Sequence, residues 1–387
     1  LEQKTVGASP VRLSSLRQKI AEMYLGQGMG HEALGMINMI RNDDIGYYYQ
    51  NQLSSLRGVA NFLIHRYGEA IADFNARDLV EDAEIKMWRE ALAIFQQDRP
   101  RFDYHLYYDN YISKYPPRIR ERLAVLAADN YINRRNYQRA FTTFDSLNKL
   151  GISAETMPYI NFLIGKIAAE QGRYDQAIAL WKPLQEESDD RFIRARAEFA
   201  MVTLMYNNGK MEAKEAIRRL DNLRIVWRGD AFEVSLLNYL GQMYVDNNDP
   251  LNGLRCWREL ITNFPENGIA IDVARAMATV FNKLFAEGGA EKMKPLEALT
   301  TFYEFRDLVP IGAAGDKMIQ ALADRIASVD LLDRAAGLLE HQIQYRQEGE
   351  VRSRLGAQLA LIYILNLEPQ KAFDELELSG YGKNQPE

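Results

Sequence analysis

A chain of 387 residues, 47% hydrophobic and 26% charged, has the make-up of an ordinary folded protein and not of a disordered one. Its net charge of −6 and pI near 5.5 give no overall case for nucleic-acid binding. A lone Cys256 excludes an internal disulfide and a thiolate metal cluster, and no apolar run reaches the length of about 18 residues that a membrane span needs.

Along the chain a small residue recurs in one helix-turn-helix setting: Ala33, Ala70, Ala140, Ala177, Ala216, Gly253, Ala298, Ala335 and Ala372. The separations are 37, 70, 37, 39, 37, 45, 37 and 37 residues. A period of this length predicts stacked helical hairpins, each burying its apolar face against its neighbours. Such a stack escapes the size limit of a single compact core.

The first predicted unit holds Tyr24, Gly28 and Ala33, and the second Tyr67, Gly68, Ala70 and Phe74. Tyr47, Tyr48 and Tyr49 cannot share one helix face, so at least one is expected to be exposed or bridging. A helix from about Asp82 to Gln97, with Trp88, Ala91 and Phe95, fills the double-length gap after Ala70. The loop Asp98-Arg99-Pro100-Arg101 ends it, and a hinge is expected near residues 98–118. Tyr131, Tyr137, Ala140 and Phe144 form the next unit.

The clearest hairpin spans about Pro158 to Leu184, with Ile164-Gly165 and Ala168, the turn Gly172-Arg173-Tyr174, then Ala177 and Trp181. Gly165 and Ala177 let two helices approach closely while Trp181 fills the groove. From Leu237 to Pro265 the same offsets recur, with Leu240-Gly241, Tyr244, Gly253, Trp257 and a closing Asn263-Phe264-Pro265. Glu287-Gly288-Gly289-Ala290 reads as an extended turn within a longer unit. In Phe305 to Asp316, Pro310 stops a helix, Gly312 and Gly315 permit left-handed backbone, and Asp316 caps a helix from Lys317. Asp330 and Asp333 repeat that capping logic, and Tyr363 with Ala372 forms the last unit.

The large-small pair, the alanine and the aromatic four residues later resemble the tetratricopeptide repeat. That resemblance implies an all-α fold, a right-handed superhelix of stacked antiparallel helix pairs. One continuous solenoid is expected: N-terminal hairpins over 1–100, central repeats over 101–290, and C-terminal hairpins with a cap over 291–387. Residues 237–378 also resemble the end of a family of large bacterial tetratricopeptide-like proteins, some linked to the cell envelope or motility. The resemblance implies a bacterial scaffold and carries over no catalytic residue.

Two segments are candidates for binding. Tyr104, Tyr107, Tyr108, Tyr111 and Tyr115 fall at offsets matching one helix face, an aromatic surface for a peptide or glycan; the competing reading is a helix packed into the stack. Between Lys114 and Arg139, seven cations (Lys114, Arg118, Arg120, Arg122, Arg134, Arg135 and Arg139) face only Glu121 and Asp129, which suits an acidic partner; a solvated helix face competes. The residues singled out for protein binding are Tyr104, Tyr107, Tyr108, Tyr111, Arg118, Arg120, Arg134 and Arg135. Asn161, Lys166, Asn238, Gln242, Arg57 and Asn61 are groove candidates on the first helices. Glu186, Glu187, Asp189 and Asp190 offer an acidic complement in a neighbouring copy.

His31, His65, His105 and His341 lack a second ligand at metal spacing, Gly28-Met29-Gly30 lacks the rest of a phosphate loop, and no Gly-x-Ser-x-Gly elbow occurs. No catalytic, cofactor or metal residue is assigned, and the chain reads as non-enzymatic. The expectation is a protein-interaction scaffold in a bacterial envelope or motility-associated assembly, with protein partners that include other copies of itself. The alternative is the superhelical accessory region of a peptidoglycan-acting enzyme such as a lytic transglycosylase. A start at Leu1 with a polar lead-in, together with the family resemblance, favours an exported, periplasmic protein over a cytoplasmic one.

Overall fold

The computed structural model describes residues 9–40, 47–76, 79, 82–95, 102–229, 231–346 and 349–379. Among them the only regular elements are helices. In chain order these are α1 (Pro10–Gly26), α2 (Gly30–Asn38), α3 (Tyr47–Leu63), α4 (Tyr67–Phe74), α5 (Ala83–Leu92), α6 (Tyr104–Tyr108) and α7 (Pro117–Asn133). There follow α8 (Tyr137–Leu150), α9 (Met157–Glu170), α10 (Tyr174–Glu187), α11 (Arg191–Asn207), α12 (Ala213–Val226), α13 (Ala231–Asp246) and α14 (Pro250–Asn263). The last are α15 (Ala270–Phe285), α16 (Pro295–Glu304), α17 (Ala313–Ala327), α18 (Leu332–Arg346), α19 (Gly349–Leu365) and α20 (Pro369–Leu378). The fold is an all-α solenoid of antiparallel helix pairs.

Every recurrent small residue lies on an even-numbered helix, and all nine are buried. They occupy the contact between partner helices, where a larger side chain would hold the backbones apart. Pair α9–α10 shows the cost of size directly. A Cβ on Gly165 would stand 2.3 Å from Trp181 Nε1. That indole instead lies over the glycine and donates to Phe162 O at 2.9 Å.

Seven of the nine small residues are also preceded by a turn of one geometry. Five residues before the small residue stands one in left-handed conformation: Gly28, His65, Arg135, Gly172, Asn248, Asp330 and Leu367, with φ between 57° and 79°. The next N–H reaches back to the carbonyl five positions earlier, as from Met29 to Tyr24, Arg66 to Asn61, Arg173 to Ala168 and Glu368 to Tyr363. This Schellman closure satisfies the orphan carbonyls of the first helix and aims the chain into the second. Glycine takes that φ freely, yet five of these turns use a residue with a Cβ.

Three local expectations change. Helix α17 begins at Ala313, not Lys317, so Asp316 sits inside its first turn while Gly312 holds the cap position at φ 88°. Gly315 is needed for proximity and not for handedness, because its Cβ would meet Pro310 O at 2.0 Å. The tyrosine stripe is no single helix: α6 is only five residues long, and a 3-10 turn follows at Ile112–Lys114. Helix α5 with the 3-10 turn Ala93–Phe95 is the element expected after Ala70, capped by Asp82, which accepts from Glu84 and Ile85 N–H. The loop at 98–101 and the side chains of Tyr47, Tyr48 and Tyr49 lie outside the described residues.

The chain divides into two compact units, residues 1–243 with 264–268, and residues 244–263 with 269–387. In the first, α7, α9 and α11 pack side by side as the first helices of successive pairs. The N-terminal pairs reach the same helices: α1 touches α7, and Gly26 and Gly28 face Pro116 and Arg118.

Candidate binding site

Helix α7 starts at Pro117, whose fixed φ and missing N–H suit a first helical position. Helix α11 is capped by Asp190, which accepts from Phe192 N–H at 2.8 Å and Ile193 N–H at 3.3 Å. Together with α9 these helices present Arg122, Asp129, Tyr159, Phe192 and Arg196 to one cavity of about 190 Å³. Phe62, His65 and Tyr67 close it from the α3–α4 turn, and Ala231, Phe232 and Ser235 from α13.

The left-handed His65 carries its ring across the stack. It lies 4.1 Å from the Phe192 ring and stacks near-parallel to Tyr159 at 6.3 Å. Arg122 can only donate, so Arg122 Nη2 donates a hydrogen bond to His65 Nε2 at 2.9 Å. His65 Nδ1 then carries the ring proton and donates to Tyr67 Oη at 2.7 Å. Burial, reinforced by the positive charges of Arg122 and Arg196, holds the His65 pKa well below its ordinary 6.5, so the ring is neutral.

Beneath the histidine, Asp129 accepts from Lys166 Nζ and Arg196 Nη2, each at 2.7 Å. Burial alone would raise its pKa, but the two cations outweigh that and hold it below the usual carboxylate range. Tyr159 donates to Asp190. Burial and that carboxylate push the phenol up, so it stays protonated. Arg122 is different. Its guanidinium lies 4.1 Å over the Tyr159 ring, and among the described residues it forms no ion pair. Around the cavity three cations (Arg122, Arg196 and Lys166) face two carboxylates (Asp129 and Asp190), a surplus of one positive charge.

The residues singled out from the sequence fall elsewhere. Tyr104 is 1% exposed, and its N–H donates to Tyr131 Oη. Tyr107, Tyr108 and Tyr111 are half-buried against the core, with Tyr107 donating to Glu90 at 2.7 Å. Arg118 pairs with Glu155, while Arg120 is half-buried on α7 with its Nε unpartnered. Arg134 and Arg135 are exposed at the far end of that helix. Of the groove candidates, Lys166 belongs to the site, whereas Arg57 and Asn61 are bonded to the buried Asp73. Sequence reasoning missed His65, Asp129, Tyr159 and Arg196. One signal was available for the histidine: it occupies the turn position that Gly28 and Gly172 fill in sister units.

No protein-family model matches the chain, and no curated protein matches it. Solved structures similar to the chain share little sequence with it. A human IFIT1 dimer with PPP-AAAA is 14% identical, covering 97% of this chain and 86% of that one with a TM-score of 0.42. Naa15/Naa10 bound to HypK-THB is 15% identical, covering 94% and 58% at 0.28. The P58(IPK) TPR domain is 13% identical, covering 95% and 99% at 0.25.

Size narrows what the cavity can hold. Small-molecule sites occupy roughly 300–1,000 Å³, so about 190 Å³ matches a single side chain better than a cofactor. Aromatic rings line the cavity, and the lining cation that forms no ion pair among the described residues, Arg122, is a planar guanidinium, a group whose fork fits a carboxylate.

Proposed function

We propose that this chain is a non-catalytic scaffold that holds a protein partner against the face formed by α7, α9 and α11. The observation that carries the reading is Arg122, a half-buried cation that lies over Tyr159, lines a side-chain-sized cavity and forms no ion pair among the described residues. A guanidinium removed from water without a counter-ion is costly, and an acidic side chain on the partner relieves that cost. The single surplus positive charge favours one carboxylate over a dianionic group. The resemblance of the C-terminal third supports a bacterial envelope or motility-associated assembly, with a periplasmic location, as the setting.

Parallel selections from a random peptide library on the wild-type chain and on Arg122→Gln test the reading. The wild type is expected to enrich Asp or Glu flanked by apolar residues, and the variant to lose that enrichment while Arg122→Lys keeps part of it. Enrichment of the same peptides by Arg122→Gln, or none by the wild type, overturns it. Matching thermal melts of the three chains establish that each is folded.

A further inference from the structure

Two other surfaces, one in each unit, are complementary. In the first unit a pocket of about 640 Å³ opens between the start of α11 and the end of α12. Arg191, Arg194 and Arg228 line it, and its only carboxylate, Glu198, is already held by Arg219 in a two-pronged bond. Neither Arg191 nor Arg194 forms an ion pair among the described residues. Leu223, Val226 and Trp227 supply an apolar wall, and Val226 is 77% exposed. This is a basic pocket with a greasy side.

The second unit ends in the opposite character. On α20, Phe373 and Leu378 are 68% and 70% exposed, interleaved with exposed Asp374 and Glu377 on the same helix face. The helix's own cation, Lys371, is engaged with Glu368 at 3.0 Å. Beside it α19 leaves Leu361 and Leu365 more than half exposed. An exposed apolar face of this extent, on two adjacent helices, calls for a cover.

We infer that α20 of one copy docks in the α11–α12 pocket of a second copy, joining chains head to tail. Phe373 enters the wall formed by Leu223, Val226 and Trp227, while Asp374 and Glu377 meet Arg191 and Arg194. The contact uses different surfaces on the two partners, so it propagates into a ring or an open chain of copies and does not stop at a symmetric dimer. A ten-residue helix makes a small interface, so the affinity is that of a transient contact, on the order of micromolar.

Sedimentation velocity across a wide concentration range tests this. The wild type is expected to self-associate, and less so in raised salt. Phe373→Asp and the double variant Arg191→Glu/Arg194→Glu are each expected to weaken association at least tenfold, while circular dichroism and melting stay unchanged because the residues are exposed. The two variants mixed together decide the geometry. Each keeps one intact half, so the mixture is expected to give one-to-one dimers and nothing larger. A wild type that stays monomeric throughout, variants that associate like the wild type, or a mixture without dimers overturns the inference. Arg122→Gln leaves association untouched, so failure here is distinct from failure of the peptide site.

Discussion

The turns at Gly172 and His65 share one backbone conformation and one place in the repeat, yet they do opposite things. Gly172, at φ 76°, is exposed, and a Cβ there would meet nothing within 4 Å. His65, at φ 64°, sends its ring to Arg122 on α7, Tyr159 on α9 and Phe192 on α11. The first turn only connects two helices. The second accepts a strained backbone of about 1–2 kcal/mol to tie an N-terminal hairpin onto α7, α9 and α11. A repeat protein thus makes a site by altering one turn of a regular series, without changing the series.

If the His65 side depends on charge, breaking the ion cluster beneath it gives the largest effect. Asp129→Asn leaves Lys166 and Arg196 facing each other at about a fifth exposure. Loss of one partner from such a cluster costs about 3 kcal/mol, measured by urea unfolding. A variant that loses less than about 1 kcal/mol would show the cluster behaving as a surface pair. On the Gly172 side the weak point is packing. Gly165→Ala drives a methyl into Trp181 and strains the indole bond to Phe162, for an expected loss of about 2 kcal/mol. No loss would mean that the α9–α10 contact relaxes freely.

The two turns should also answer differently to acid. His65 binds a proton less readily folded than unfolded, because burial and then Arg122 and Arg196 oppose its charge. Above pH 6.5 both states are neutral and the stabilisation is fully present. Below that the unfolded chain takes up a proton that the folded one refuses, and stability falls by up to about 1.4 kcal/mol per pH unit until folded His65 titrates too. His105, also lowered by burial, adds a slope of the same sign. Comparing unfolding midpoints of the wild type and His65→Gln from pH 8 to 5 isolates the first term. Parallel curves would assign the whole slope to other groups.

The hairpin series was legible because one physical requirement, close approach of paired helices, restricts one position per unit to Ala or Gly. Nothing of comparable strictness marks the cavity. Arg122 appeared only as one cation among seven, and Asp129 only as a charge set against them. Their roles come from contacts 37 and 67 residues apart in sequence, Lys166 and Arg196 to Asp129, that no local spacing encodes. The tyrosines left two readings open for a related reason. Offsets of three and four describe a helix face whether it meets solvent or core, and here α6 breaks off after five residues with Tyr104 inside.

The smallest expected effect separates the two kinds of turn most cleanly. Leu367 occupies the same left-handed position at φ 62°, with its side chain 88% exposed. Its Cβ incurs the strain and its side chain gains little by packing. Leu367→Gly should therefore stabilise the chain by about 0.5–1 kcal/mol, the relief of strain less the added freedom of glycine in the unfolded state. At His65 the same change relieves the same strain, but it gives up the bond to Arg122 and the contact with Phe192, so His65→Gly should lower the melting temperature where Leu367→Gly raises it. Two melting curves decide the matter. Equal and positive shifts would reduce His65 to a tolerated misfit in a glycine's place.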